Sequence, residues 1–147
     1  MFAQLYKKYV RGTPKKAIVQ FVQIFICHFT VAVVKGIDAS CNKVYLNTRV
    51  IKHIYDKRTA EEFDFWVANL HVILKYPDKV YKNKDGKRGA YCFVKEINNY
   101  KCLCSLETTI KDDQPPVCEV VTFFRTDENY LKSYELLWEW KGGTPSS

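Results

Sequence analysis

Few residues in this sequence have the right types and spacing to do chemistry, and most of those handle phosphate. His53 stands in the run TRVIKHIYDKR (residues 48–58). An unperturbed imidazole is the side chain that gains or loses a proton near neutral pH, so His53 is the candidate general acid or base. It reads equally as a helix histidine bonded to backbone. Lys57 and Arg58 follow within one turn. They could meet phosphate, or simply end the helix as solvated charges. Lys95 alternates with Tyr91, Phe93 and Ile97, and so stands among apolar residues on one strand face. A cation there could stabilise developing negative charge, or guard an edge strand against aggregation. Thr122 and Thr126 share a face by period two, with Arg125 between them and Thr126 or Asp127 placed to cap a helix. Hydroxyls, a guanidinium and free backbone N–H groups at a strand-to-helix corner suit phosphate, though threonine is also a good strand former. Tyr130, one turn further, could stack a base or pack in a core.

The elements around these residues follow from periodicity. Lys43 to Leu46 reads as a short strand, and Asn47 or Thr48 as the cap of a helix with Val50, Ile51, Ile54 and Tyr55 on its apolar side. Lys52, Asp56 and Lys57 fall away from that stripe. Thr59 and Glu62 form a capping box. A second helix then runs from about Ala60 to Lys75, ended by Pro77. Period two takes over beyond Pro77. Strands are expected at Lys79 to Lys82, Gly89 to Ile97, Tyr100 to Ile110 and Val117 to Arg125, joined by an Asp-Gly turn at residues 83–86 and by Asn98-Asn99. Tyr130, Leu131, Tyr134, Leu137 and Trp138 have helical spacing. The expected architecture is α+β: N-terminal helices packed on a four-stranded antiparallel meander, with a C-terminal helix.

Residues 1–42 read as an extension. Within it, residues 17–34 are almost wholly apolar, broken by Gln20, Gln23, His28 and Thr30. A membrane span would be short and interrupted, and a secretory signal would lack a good cleavage site. The favoured reading is a buried element, with helical spacing at Ile18, Phe21, Val22, Phe25, Ile26 and Phe29 and a composition that also suits a strand. Residues 43–141 form the main domain and 142–147 a frayed tail.

A formal charge of +7 favours a polyanionic partner. The charge is uneven, with a basic middle from Lys75 to Lys101 and an acidic end from Asp127 to Glu139 that together resemble a binding face. The six cysteines are 27, 41, 92, 102, 104 and 118. Their spacing argues for free thiols in a reducing cytoplasm. Cys92, Cys102, Cys104 and Cys118 lack the Cys-x2-Cys knuckles of a structural zinc site, so no metal or other cofactor is expected.

Three stretches resemble a known family: VYLNTRVIKHIYDKR (44–58), LKYPDKVYKN (74–83) and VVTFFRTDENY (120–130). With the two middle strands, they are similar to the phage-associated branch of the barnase, EndoU, colicin and RelE type of metal-independent ribonucleases. The resemblance spans roughly residues 43–140. It implies a toxin-like RNA endonuclease in which the ribose 2′-OH attacks phosphorus and leaves a 2′,3′-cyclic phosphate. Its catalytic residues would be His53, Lys95, Thr122 and Thr126, and its substrate contacts Lys57, Arg58, Arg125 and Tyr130. It implies tRNA or mRNA as substrate and an acidic immunity or antitoxin protein as partner, with no membrane involved. Relatives carry a His or Arg-His pair just after the first motif, where this chain has Asp56-Lys57-Arg58-Thr59. The second proton-transfer group is therefore unassigned. The alternative is a nucleic-acid-binding module without catalysis, distinguished by binding that weakens with salt and leaves RNA intact.

Overall fold

A computed structural model describes residues 2–83 and 90–141. Seven strands form one sheet in the order β1-β2-β6-β5-β4-β3-β7. They are β1 (Gln23–His28), β2 (Lys43–Asn47), β3 (Lys79–Lys82), β4 (Tyr91–Ile97), β5 (Tyr100–Thr109), β6 (Val117–Thr126) and β7 (Leu136–Glu139). The helices are α1 (Phe2–Tyr9), α2 (Val31–Ile37), α3 (Thr48–Lys57), α4 (Ala60–Lys75) and the single turn α5 (Glu128–Leu131). The α+β class and the central meander β3-β4-β5-β6 agree with the pattern in the sequence. The sheet is wider than four strands, because β1 and β2 extend it on one side and β7 on the other. Every neighbour is antiparallel except β2 and β6, which run parallel for only two residue pairs, Val44–Cys118 and Tyr45–Glu119.

The main core lies between one sheet face and the helices. Trp66 of α4 is fully buried and stacks on Phe123 of β6 at 6.0 Å between centroids. Phe2 and Phe63 present their rings to Trp66 at 4.7 and 5.6 Å. Phe29 stacks on Phe93 at 5.0 Å. Strand alternation sends Tyr81, Cys92, Val94 and Leu103 to the second face, where Leu131, Phe124 and Tyr134 cover them. Cys92 thus points away from Cys102 and Cys104, which share the helix face. Asn98 and Asn99 both take positive φ (51° and 69°), the twisted two-residue hairpin the sequence suggested. The expected turn at 83–86 and the start of its following strand at Gly89 lie outside the described residues apart from Asn83, as does the tail at 142–147.

Three expectations are corrected. The C-terminal helix is one turn, after which the chain extends as β7 and pairs with β3 (Val80–Trp138, Tyr81–Leu136). The edge of β3 supplies backbone partners that four helical residues cannot supply for themselves, as Lys82 N–H to Glu135 C=O and Trp140 N–H to Asp78 C=O (both 2.9 Å) show. The stretch 17–34 is not a single buried element: it divides into an irregular approach, β1 and the start of α2. Ile18 is 96% exposed and Phe21 and Phe25 are about half exposed, while Val19, Ile24, Cys27, Phe29 and Val33 are buried. Among the described residues no helix is long and apolar enough to cross a membrane. Lys52, expected away from the packed face, is only 5% exposed.

Lys52 is covered because the N-terminal segment straps across α3. Its ammonium donates to Pro14 C=O (2.6 Å) and to Asp56 Oδ1 (2.8 Å). Lys16 N–H donates to Asp56 Oδ2 (3.0 Å) and Gly12 N–H to the Tyr55 hydroxyl (3.1 Å). Burial pushes the Asp56 carboxyl up, but the bond from Lys52, the Lys16 N–H and the charges of Lys52 and Lys15 outweigh it and hold the carboxyl below the usual aspartate range. That contribution to stability is present above the ordinary aspartate pKa of about 3.9 and is lost as pH falls through the lower folded value. Asp56→Ala should therefore cost about 3 kcal/mol by leaving a buried ammonium without its carboxylate, whereas Lys52→Met, which removes the buried charge itself, should cost less. Urea unfolding of both variants at neutral pH checks the order.

Candidate functional site

The site is built where β2 parts from β6. Beyond Tyr45–Glu119 the two strands no longer pair, and β2 passes directly into α3, capped by Asn47 Oδ1 accepting from Val50 N–H (3.0 Å). α3 then runs beside the second half of β6. At its end Arg58 donates through Nε to Phe123 C=O (2.7 Å), and its guanidinium lies 5.7 Å from the centroid of the Phe124 ring. His53 lies midway along α3, five residues before Arg58.

Lys52 and Asp56 occupy the flank of α3 under the N-terminal strap. His53 and Lys57, four residues apart, occupy another flank and are exposed. Among the described residues neither bonds to a protein group. The His53 imidazole is held below its ordinary pKa, first by partial burial and then by the charges of Lys57 and Arg58, with Asp56 opposing them. Arg58 keeps its terminal nitrogens free of protein partners among the described residues, because only Nε is engaged.

Thr122, Phe124 and Thr126 lie on the second face of β6, opposite Ser105, Leu103 and Lys101. Tyr130, 45% exposed, meets Phe124 edge-on at 5.2 Å and stacks on Tyr134 at 5.5 Å, with the two hydroxyls 3.2 Å apart. Arg58, Phe124, Tyr130 and Tyr134 thus form a continuous cation-and-aromatic step beside Thr122.

Arg125 and Lys95 are elsewhere. Arg125 faces the helices, its guanidinium 4.8 Å from the Phe65 ring centroid and 4.0 Å from that of Tyr100. It bridges to Glu61 at 2.8 Å, while its backbone N–H donates to Glu62. Lys95 also lies on the helix face, opposite Cys102. It is tied to Tyr76 C=O (2.7 Å) and Asp78 (3.5 Å) beyond the C-terminus of α4. The expected phosphate corner is thus divided between two faces. Thr126 stands opposite Lys101, whose ammonium bridges Glu128 at 2.9 Å and Glu96 at 3.4 Å. A second pair also links the basic middle to the acidic end, Lys79 with Glu139 at 3.8 Å.

One carboxylate escapes a period-two reading. The β5–β6 register skips Val121, with Ser105 opposite Thr122 and Leu106 opposite Val120. This bulge lets Glu119 and Thr122, three residues apart, point to the same face. Glu119 stands opposite Glu107 and accepts from Gln23 Nε2 at 3.4 Å. No cation pairs with either carboxylate among the described residues. A bulge leaves no mark in hydropathy, so Glu119 reads from sequence as sharing the parity of buried Phe123.

The family model described as phage-Barnase-EndoU-ColicinE5/D-RelE like nuclease3 matches residues 29–132, more than half of the chain. The chain belongs to this nuclease family. The match to the nuclease model covers α2 through α5, and so includes α3, the β6 bulge and Tyr130. It also starts upstream of residue 43, just ahead of α2, and leaves β1 outside. No curated protein and no solved structure matches the chain.

The geometry predicts a measurable titration. In a histidine NMR titration of this nuclease-family chain, the His53 ring should titrate below the ordinary value of about 6.5. Lys57→Ala should move the midpoint upward. A midpoint unchanged by that substitution would show that the cation does not act on the ring.

Proposed function

We propose that the chain is a metal-independent endoribonuclease working on the second face of the sheet beside α3. The observation that carries this reading is an exposed imidazole, bonded to no described protein group, ahead of Lys57 and Arg58 on the helix whose end Arg58 ties to β6. Family membership supports nuclease chemistry, and the positions of these groups support RNA as the substrate.

In this reading the phosphate lies between Arg58 and Thr122, and a neighbouring base stacks on Tyr130. Glu119 takes the proton from the ribose 2′-OH as O2′ bonds to phosphorus. The P–O5′ bond breaks and His53, as imidazolium, gives O5′ its proton. The products are a 2′,3′-cyclic phosphate and a 5′-hydroxyl. DNA lacks the nucleophile and is left intact. Lys95, Arg125 and Thr126 have no part in this arrangement, because their partners hold them elsewhere or beside acids. An acidic inhibitor suits the cationic rim formed by Lys57 and Arg58.

The full chain incubated with RNA in EDTA should yield fragments ending in 2′,3′-cyclic phosphate, and substrate with 2′-deoxy sugars should survive. His53→Ala and Glu119→Gln should each lower the rate by about 10²–10⁴-fold. The depressed His53 pKa places the alkaline limb of kcat/KM below the usual histidine range, so activity should fall as pH rises through neutrality. Undiminished cutting by His53→Ala would remove the imidazole from the mechanism, and salt-sensitive binding without any cutting would favour a binding module.

A further inference from the structure

All six cysteines are unbridged, yet two of them are nearly joined. The sulfurs of Cys41 and Cys118 lie 2.9 Å apart, far inside ordinary contact between thiols. Cys41 is partly exposed just ahead of β2, and Cys118 is fully buried on β6 opposite Val44. The pair therefore sits at the one parallel joint among the described residues of the sheet, where two residue pairs hold β2 to β6.

The environments of the thiols differ in a way that suits oxidation. A bond from the Cys118 thiol lowers the Cys41 pKa, and burial only partly opposes this. The same contact and burial push the Cys118 thiol up. Burial pushes Cys27 and Cys102 up to about 11, and Cys104 also upward. Cys41 alone combines a lowered pKa with access to solvent, and its partner is already in place.

We propose that Cys41 and Cys118 are a redox modification site, with Cys41 the attacking and Cys118 the resolving thiol, closed by a peroxide-class oxidant. The Cys41 thiolate attacks hydrogen peroxide. An S–O bond forms, the O–O bond breaks, and hydroxide leaves, so sulfur is oxidised by the two electrons that peroxide gains. Cys118 then attacks the sulfenic acid. The S–S bond forms, the S–O bond breaks, and the oxygen leaves as water with the Cys118 proton. Closure needs the sulfurs to move from 2.9 Å to about 2.05 Å. The product ties the segment ahead of β2 to β6, and so fixes α3 against the strand it flanks.

The test treats the reduced full chain with stoichiometric hydrogen peroxide, then alkylates, digests and maps it by mass spectrometry. One cross-linked peptide joining Cys41 and Cys118, lost on reduction with dithiothreitol, is expected. The melting temperature should rise by roughly 5–10 °C. Cys41→Ala and Cys118→Ala should each abolish the cross-link and the rise. Circular dichroism of these variants checks that they fold. Cys41→Ala and Cys118→Ala with intact folds but an unchanged shift would overturn the proposal. So would a bridge between other cysteines, or full alkylation of both thiols after peroxide.

Discussion

The organising constraint is an unfinished strand. β6 is central to the sheet, but β2 accompanies it for only two residue pairs before turning into a helix. A buried strand cannot leave its carbonyls without partners, and the Arg58 side chain supplies one at Phe123. The departure of β2 also makes room for α3 at the sheet's flank. The bulge at Val121 belongs to the same stretch and re-aims Glu119. One local break in pairing thus accounts for the seat of α3, the Arg58 contact to β6 and the face that Glu119 takes.

Much of this was legible in the sequence, because most elements are locally determined. The caps at Asn47 and Thr59, the apolar sides of α3 and α4, the stop at Pro77 and the Asn-Asn hairpin each follow from neighbouring residues. What could not be read depends on distant chain. Leu137 and Trp138 fit helical spacing, but the free edge of β3 decided their conformation. Lys52 is polar and lies off its helix stripe, yet a segment some forty residues earlier buries it. Arg125 and Lys95 alternate correctly along their strands, but their engagement by Glu61 and Tyr76 depends on how α4 crosses the sheet.

Net charge also misleads when read by segment. Lysines of the basic middle, among them Lys79, Lys95 and Lys101, are spent on internal carboxylates and carbonyls. Among the described residues Lys57, at the end of α3, bonds to no protein group, and Arg58 beside it is engaged through Nε alone.

The strap over α3 has a consequence for how the chain assembles during synthesis. Its residues are made some fifty residues before Asp56, Tyr55, Phe63 and Trp66, which receive it. β2 must wait longer still, since its pairing with β6 joins Val44 to Cys118. Contacts so distant along the chain slow folding and leave apolar segments uncovered meanwhile. The end of α3 therefore meets β6 only after some sixty-five further residues have emerged.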